Sequence, residues 1–137
     1  MAITVTVGHE IEVVVKNEVG ALANITSFLV NHGVNIEGIL GYATEVGHEA
    51  GMLFITDNNG LAIMALKEHG YRNVRENDIL IVELENRPGA LKNISEILAQ
   101  NSINIEYIYA TTCKGGCPTK VLLSTSDNSE AFKILGK

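Results

Sequence analysis

The chain carries one stretch twice. Sliding the sequence along itself by 69 residues lays residues 17–39 on residues 86–108, and 11 of the 23 aligned pairs are identical. Unrelated segments of that length would share about one or two. The matches gather in two clusters, NEVGALANI against NRPGALKNI and NIEGI against NIEYI, with Leu29 on Leu98 between them. Self-similarity at a fixed shift means one supersecondary unit used twice, so the 137 residues must divide into two small, like units.

Within each copy the hydrophobic period changes in the same order. Ile11 to Val15 and Ile79 to Leu84 are short β-branched runs and read as buried strands. Leu22, Ile25, Phe28 and Leu29, matched by Leu91, Ile94, Ile97 and Leu98, are spaced by three and four and predict a helix with one apolar stripe. Gly33 suits the stop of the first helix, and Asn101 is the expected turn residue of the second. Asn35 to Ala43 and Asn104 to Thr112 read as strands, each paired through a loose turn with Met52 to Thr56 or Lys120 to Thr125. Shorter helices are predicted from Gly60 to His69 and from Ser129 to Leu135.

Both copies therefore read β-α-β-β-α, one strand short of a closed plan. Residues 72–76 supply that strand for the first copy, but the second runs out of chain at Lys137. The same shift sets Ile3 to Val7 opposite Arg72 to Glu76, so the N-terminal ITVTV is expected to close the second sheet. The expected architecture is α+β: two βαββαβ units, antiparallel sheets with helices on one face. The expected boundaries are residues 8–76 for the first unit and 77–137, completed by strand 2–7, for the second.

Composition narrows the function. A net charge of -6, with lysines and arginines spread along the chain, argues against a sequence-independent grip on nucleic acid or on an anionic membrane. Tyr107 and Tyr109 share a strand, as RNA-stacking residues do, but the charge has the wrong sign. No run approaches the roughly 18 apolar residues of a membrane span, and MAITVTVGHE lacks the features of a signal peptide. A cytoplasmic location is expected. His9, His32, His48 and His69 stand singly, and neither a phosphate loop nor a dinucleotide fingerprint occurs, so no catalytic residues and no cofactor are expected.

Cys113 and Cys117 flank Lys-Gly-Gly in the second predicted hairpin turn. Two cysteines make no disulfide framework. So placed, they could close a reversible disulfide or supply half a tetrahedral metal site, and His48 occupies the corresponding turn of the first copy, offset by several residues. The expectation is two free thiols in a reduced, mobile turn without metal.

A βαββαβ unit of this size whose first loop reads N-x-x-G-A-L resembles the ACT domain, a regulatory module attached to many enzymes of amino-acid metabolism. Asn86 to Leu91 (NRPGAL) is close to that family's pattern; Asn17 to Leu22 (NEVGAL) is close but lacks the proline. The NIE elements, Asn35 to Glu37 and Asn104 to Glu106, stand where the family places its second strand. The resemblance covers nearly the whole chain and implies a ferredoxin-like fold, units paired side by side, and small effectors, often amino acids, bound at the seam.

An amino-acid site needs donors for a carboxylate and acceptors for an ammonium. Gly20 and Gly89 let a ligand approach the backbone, and the following helices present unpaired N–H groups. The expected ligand-binding set is Asn17, Gly20, Ala21, Leu22, Asn35 and Ile36 in the first copy. In the second it is Asn86, Arg87, Gly89, Ala90, Leu91, Asn104 and Ile105. The plainer reading makes Asn17 and Asn86 helix caps, Asn35 and Asn104 turn residues, and Glu37 and Glu106 solvated strand positions. Arg87 stands where the first copy has Glu18, so the two sites cannot have equal affinity for an anion. The expected partners are an amino acid, a second copy of the chain in a homodimer, and an enzyme or regulator of amino-acid metabolism. The alternatives are an assembly module without ligand and a thiol or metal sensor built on Cys113 and Cys117.

Overall fold

The computed structural model describes residues 3–43, 45 and 47–136. Among them the chain forms six strands and four helices. The first repeat holds most of β1 (Ile3–Lys16), then α1 (Ala21–Asn31), β2 (Ile36–Ala43), β3 (Glu49–Thr56) and α2 (Asn59–Glu68). The chain continues through β4 (Val74–Leu84), α3 (Ala90–Gln100), β5 (Ile105–Thr111), β6 (Thr119–Thr125) and α4 (Asn128–Leu135). The fold class is the expected one, a βαββαβ plan realised twice. It divides into two compact units: His9–Asn77, and the residues up to Gly8 together with those from Asp78 on.

Four predicted strands prove to be two. Ile3–Val7 and Ile11–Val15 run as the single strand β1, and residues 72–76 and Ile79–Leu84 run largely as β4. The intervening Gly8 to Glu10 and Asn77 to Asp78 contain no proline, and nothing forces a turn there. A Cβ on Gly8 would lie 2.5 Å from Ile81 Cδ1, so a larger residue here would have to displace that side chain.

In the first unit the strand order is β2-β3-β1-β4, with β1 and β2 both antiparallel to β3. Period-two alternation puts Ile11, Val13 and Val15 of β1 and Ala50, Met52 and Phe54 of β3 on one face, where α1 and α2 bring Ile25, Leu29, Ala62, Ala65 and Leu66. The second unit repeats this with Leu80, Val82 and Leu84 of β4 and Val121 and Leu123 of β6 against Ile94, Leu98, Ala131 and Leu135. Ile3 and Val5 of β1 pack on this second core, and Thr6 Oγ1 donates to the Ile81 carbonyl at 3.5 Å.

The stripes of α1 and α3 are shorter than the sequence suggests. Ile25, Leu29, Ile94 and Leu98 are buried, but Leu22 and Leu91 are 45% and 49% exposed. They are the second residues of their helices, and in this first turn they are left half uncovered. At the other end of α3 the left-handed residue is Ser102 (φ 58°) and not Asn101, whose side chain donates instead to the Ile97 carbonyl at 2.8 Å. Gly33 does take the left-handed conformation after α1 (φ 72°).

The second helix of each unit is fixed by a matching set of bonds. Asn58 Oδ1 accepts from Leu61 N, and Asp127 Oδ1 from Glu130 N, both at 3.0 Å. Asn59 and Asn128 reach across to donate to the carbonyls of His9 (3.1 Å) and Asp78 (3.2 Å). These amides start both helices one residue earlier than the apolar spacing alone predicts.

One ion pair is placed to make the stability of the first unit depend on acid pH. Arg75 Nε donates to Glu12 Oε1 at 2.7 Å and the Asn77 amide to the same oxygen at 3.0 Å. The Arg75 hydrogen bond, supported by Asn77 and opposed by partial burial, holds the Glu12 carboxyl below its ordinary value of 4.5. A depressed carboxyl contributes stability that is present above the unfolded-state pKa and lost as pH falls through the folded-state one. Arg75→Ala should therefore raise the acid-unfolding midpoint followed by circular dichroism, by less at high salt because Arg75 is exposed. An unchanged midpoint would show the pair to be inert.

Candidate functional site

Each unit has an open cleft at one end of its sheet. In the first it is lined by Val14, Val15 and Lys16 of β1, Gly47, His48 and Glu49 of the hairpin turn, and Asn73. In the second it is lined by Glu83, Leu84 and Glu85, then Gly116, Cys117 and Pro118, with Thr4 and Asn86. The 69-residue shift carries every position of the first set onto one of the second, with Asn73 falling on Thr4. The volumes, about 700 and 370 Å³, lie in the range of small-molecule sites. The sequence reading missed the turn and closing-strand walls of both clefts. The repeat contained the signal, since Gly47 falls on Gly116, both with positive φ (87° and 91°). It also places His48 on Cys117 with no offset, correcting the offset expected above.

Of the expected loop residues Asn86 lines a cleft, while Asn17, Gly20, Ala21, Leu22, Arg87, Gly89, Ala90 and Leu91 are not among the lining residues. Gly20 and Gly89 are the N-cap residues of α1 and α3, left-handed at φ 87° and 90°, and no side chain caps either helix. Asn17 and Asn86 are therefore not caps. Their amides point to the hairpin turn: Asn17 Nδ2 donates to the Glu45 carbonyl at 2.9 Å, and Asn86 Nδ2 to the Cys113 carbonyl at 3.5 Å. Glycine at 20 and 89 follows from the backbone conformation, and a Cβ at Gly20 would meet nothing within 4 Å, so the space above that backbone is open. Ala21 packs on the first core and Ala90 is buried in the second. Leu22 and Leu91 lie exposed beside them.

The charges at positions 18 and 87 are not free. Glu18 lies 3.9 Å from Lys16 Nζ, and Arg87 Nε lies 2.9 Å from Glu85 Oε2. The second pair is the first with both signs exchanged, so the clefts present Lys16 in one unit and Glu85 in the other. The electrostatic difference expected from Glu18 and Arg87 lies equally in their partners.

The second-strand residues stand elsewhere. Asn35 N donates to Asp57 Oδ1 at 2.9 Å and Asn104 N to Ser126 Oγ at 3.0 Å, both at the end of β3 or β6 remote from the cleft. The register pairs Ile36 with Thr56 but Lys16 with Glu49, which puts Asn35 about nine residues along β3 from Asn17, roughly 30 Å at the rise of an extended strand. Ile36 and Ile105 pack against their own cores. Each is followed by a register shift at Glu37 or Glu106, and Ser124 Oγ donates to Glu106 Oε1 at 3.4 Å.

The cysteines depart from expectation. Cys113 and Cys117 are joined as a disulfide with Cα atoms 5.5 Å apart, an ordinary span for that bond, because Gly115 and Gly116 (φ 101° and 91°) turn the chain back on itself. Among the described residues no group of three or more His, Cys, Asp or Glu is placed to hold a metal ion. His32 and His69 are the C-caps of α1 and α2, with His69 stacked on Phe28 at 3.8 Å and His32 Nε2 3.3 Å from Glu68 Oε2. No helix among the described residues is long and apolar enough to cross a membrane.

Known families and structures agree with this geometry. Residues 9–64 match the ACT domain model, and residues 80–136 match the AHAS small subunit-like ACT domain model. The chain belongs to the ACT domain family, with two such domains in tandem. Protein BT0572 from Bacteroides thetaiotaomicron superposes with a TM-score of 0.85 at 21% identity, over 96% of this chain and 88% of that one. The ligand-free regulatory subunit of aspartate kinase from Thermus thermophilus gives 0.67 at 14% identity, over 97% and 93%. Its counterpart from Thermus flavus gives 0.67 at 15%, over 98% and 95%. At these identities the likeness is one of fold. A search of curated protein sequences gave no match.

Proposed function

We propose that this chain is a non-catalytic regulatory protein of the cytoplasm that binds an amino acid where the strand-to-helix loops meet the hairpin turns. The observation that carries the reading is the pair of clefts lined by repeat-equivalent residues at the end of β1 or β4 from which the chain enters the loop with the left-handed glycine and the helix. The helix start offers backbone N–H groups to a carboxylate. Lys16 in the first cleft and Glu85 in the second make the two sites unequal. The aspartate kinase regulatory subunits of like fold support a role in amino-acid metabolism, exercised through a partner enzyme or regulator and as a homodimer. Ligand binding would then act by favouring one arrangement of the protein over another.

A thermal-shift screen against the twenty amino acids tests this. A ligand at a hundred times its dissociation constant stabilises by about 2.7 kcal/mol, several degrees for units of this size. Gly89→Asp sets a carboxylate where the ligand's would lie and should remove the second site's response. Its own cost without ligand, a left-handed aspartate, is about 1 kcal/mol. A flat response to all twenty would overturn the reading in favour of an assembly module.

A further inference from the structure

The two hairpin turns occupy equivalent places but are held by different means. In the first unit Asn17 N donates to the His48 carbonyl at 2.6 Å, Gly47 N donates to the Asn17 carbonyl at 2.8 Å, and the Asn17 amide reaches Glu45. His48 Nε2 also lies 3.2 Å from Glu45 Oε2 within the turn. In the second unit, among the described residues, Asn86 makes no backbone bond to Gly116 or Cys117, and its long amide bond to the Cys113 carbonyl is the tie to the turn. The Cys113–Cys117 bond stands where the first unit has hydrogen bonds.

From this substitution we infer that the second cleft is a site of thiol–disulfide exchange: a dithiol reductant opens the Cys113–Cys117 bond and frees the turn that walls the cleft. The inference rests on the ligand-binding reading only for its consequence, that opening the bond weakens retention of ligand in the second unit and leaves the first untouched.

The chemistry is accessible. Cys117 is exposed, Cys113 is half-buried, and exposed Lys114 between them favours a departing thiolate. The reductant's first thiolate attacks the Cys117 sulfur, breaking the protein S–S bond and releasing Cys113 as thiolate. Its second thiol then attacks the mixed disulfide, releasing Cys117, and the reductant leaves as a disulfide. Two electrons and two protons pass from the dithiol to the protein. The ring spans residues 113–117, a short loop whose closure constrains the unfolded chain less than a long one would, so the bond acts on the turn more than on global stability.

Hydrogen–deuterium exchange on the full chain decides it, with no amino acid present. The protein is compared after oxidised glutathione and after dithiothreitol, with thiols counted in the unfolded chain, and with the Cys113→Ser/Cys117→Ser variant. The amides of residues 112–117 and of 85, 86, 87 and 89 should exchange about tenfold faster on reduction, and those of 17–20 and 47–50 at an unchanged rate. The variant should match the reduced protein in both buffers. Equal exchange in the two verified redox states, or two free thiols after oxidised glutathione, overturns the inference. An amino-acid screen without a response sinks the ligand reading alone, because the exchange measurement does not depend on it.

Discussion

Removing residues 1–8 is expected to unfold the second repeat preferentially. Ile3 and Val5 lie on the core formed by Leu80, Val82, Ile94, Leu98 and Leu123. Burying half of each side chain is worth about 1 kcal/mol at roughly 25 cal/mol per Å². The deletion also strips the partner from one edge of β4, where each lost backbone bond costs about 0.5–1.5 kcal/mol. Together the loss comes to about 3–6 kcal/mol against a domain stability of about 5–15 kcal/mol. Exchange protection of β5 and β6 should fall far more than that of β2 and β3, and the melting transition should move down and broaden. A truncated chain that melts like the full one, with β5 and β6 equally protected, would show that the N-terminal strand is no part of the second unit.

The architecture was legible because the repeat doubled every local signal. One run of alternating residues is ambiguous, but β3 and β6, or α1 and α3, each corroborate the other, and the missing sixth strand could be found only by sliding the chain on itself. What stayed hidden was set by backbone geometry and by polar contacts distant in sequence. Asn17 and Asn86 admit both a ligand-binding and a capping reading, because asparagine before a helix is usually a cap, yet both amides reach about 28 residues along the chain to a turn. Leu22 and Leu91 fit the helical period, but periodicity cannot show that in the first turn of each helix they are left half uncovered. The cysteines were read as free because their spacing alone does not bring sulfurs together; two consecutive left-handed glycines do. Asn35 and Asn104 entered the expected site through family resemblance, and within one unit the strand register keeps them at the far end of the sheet.

The second large effect lies at Phe54, the bulkiest fully buried side chain of the first core. Phe54→Ala should cost about 3–5 kcal/mol by lost transfer energy and residual cavity, whereas Leu22→Ala and Leu91→Ala, on half-exposed side chains, should each cost under about 1 kcal/mol. Comparing the copies sharpens the expectation. Leu123 occupies the place of Phe54 in the second unit, and where the first core has Ala65 from α2 the second has Ile134 from α4. A large strand residue with a small helix residue in one core and the reverse in the other is the size pattern expected if the two positions share a packing site. Phe54→Leu alone should therefore cost about 1 kcal/mol and Ala65→Ile alone about 1–3 kcal/mol by overpacking. The double variant, which rebuilds the second unit's pair inside the first, should be more stable than the sum of the two losses by about 1 kcal/mol or more in a denaturant-unfolding cycle. Strict additivity would mean that positions 54 and 65 do not share a packing site, and that the inverse sizes in the two repeats arose independently.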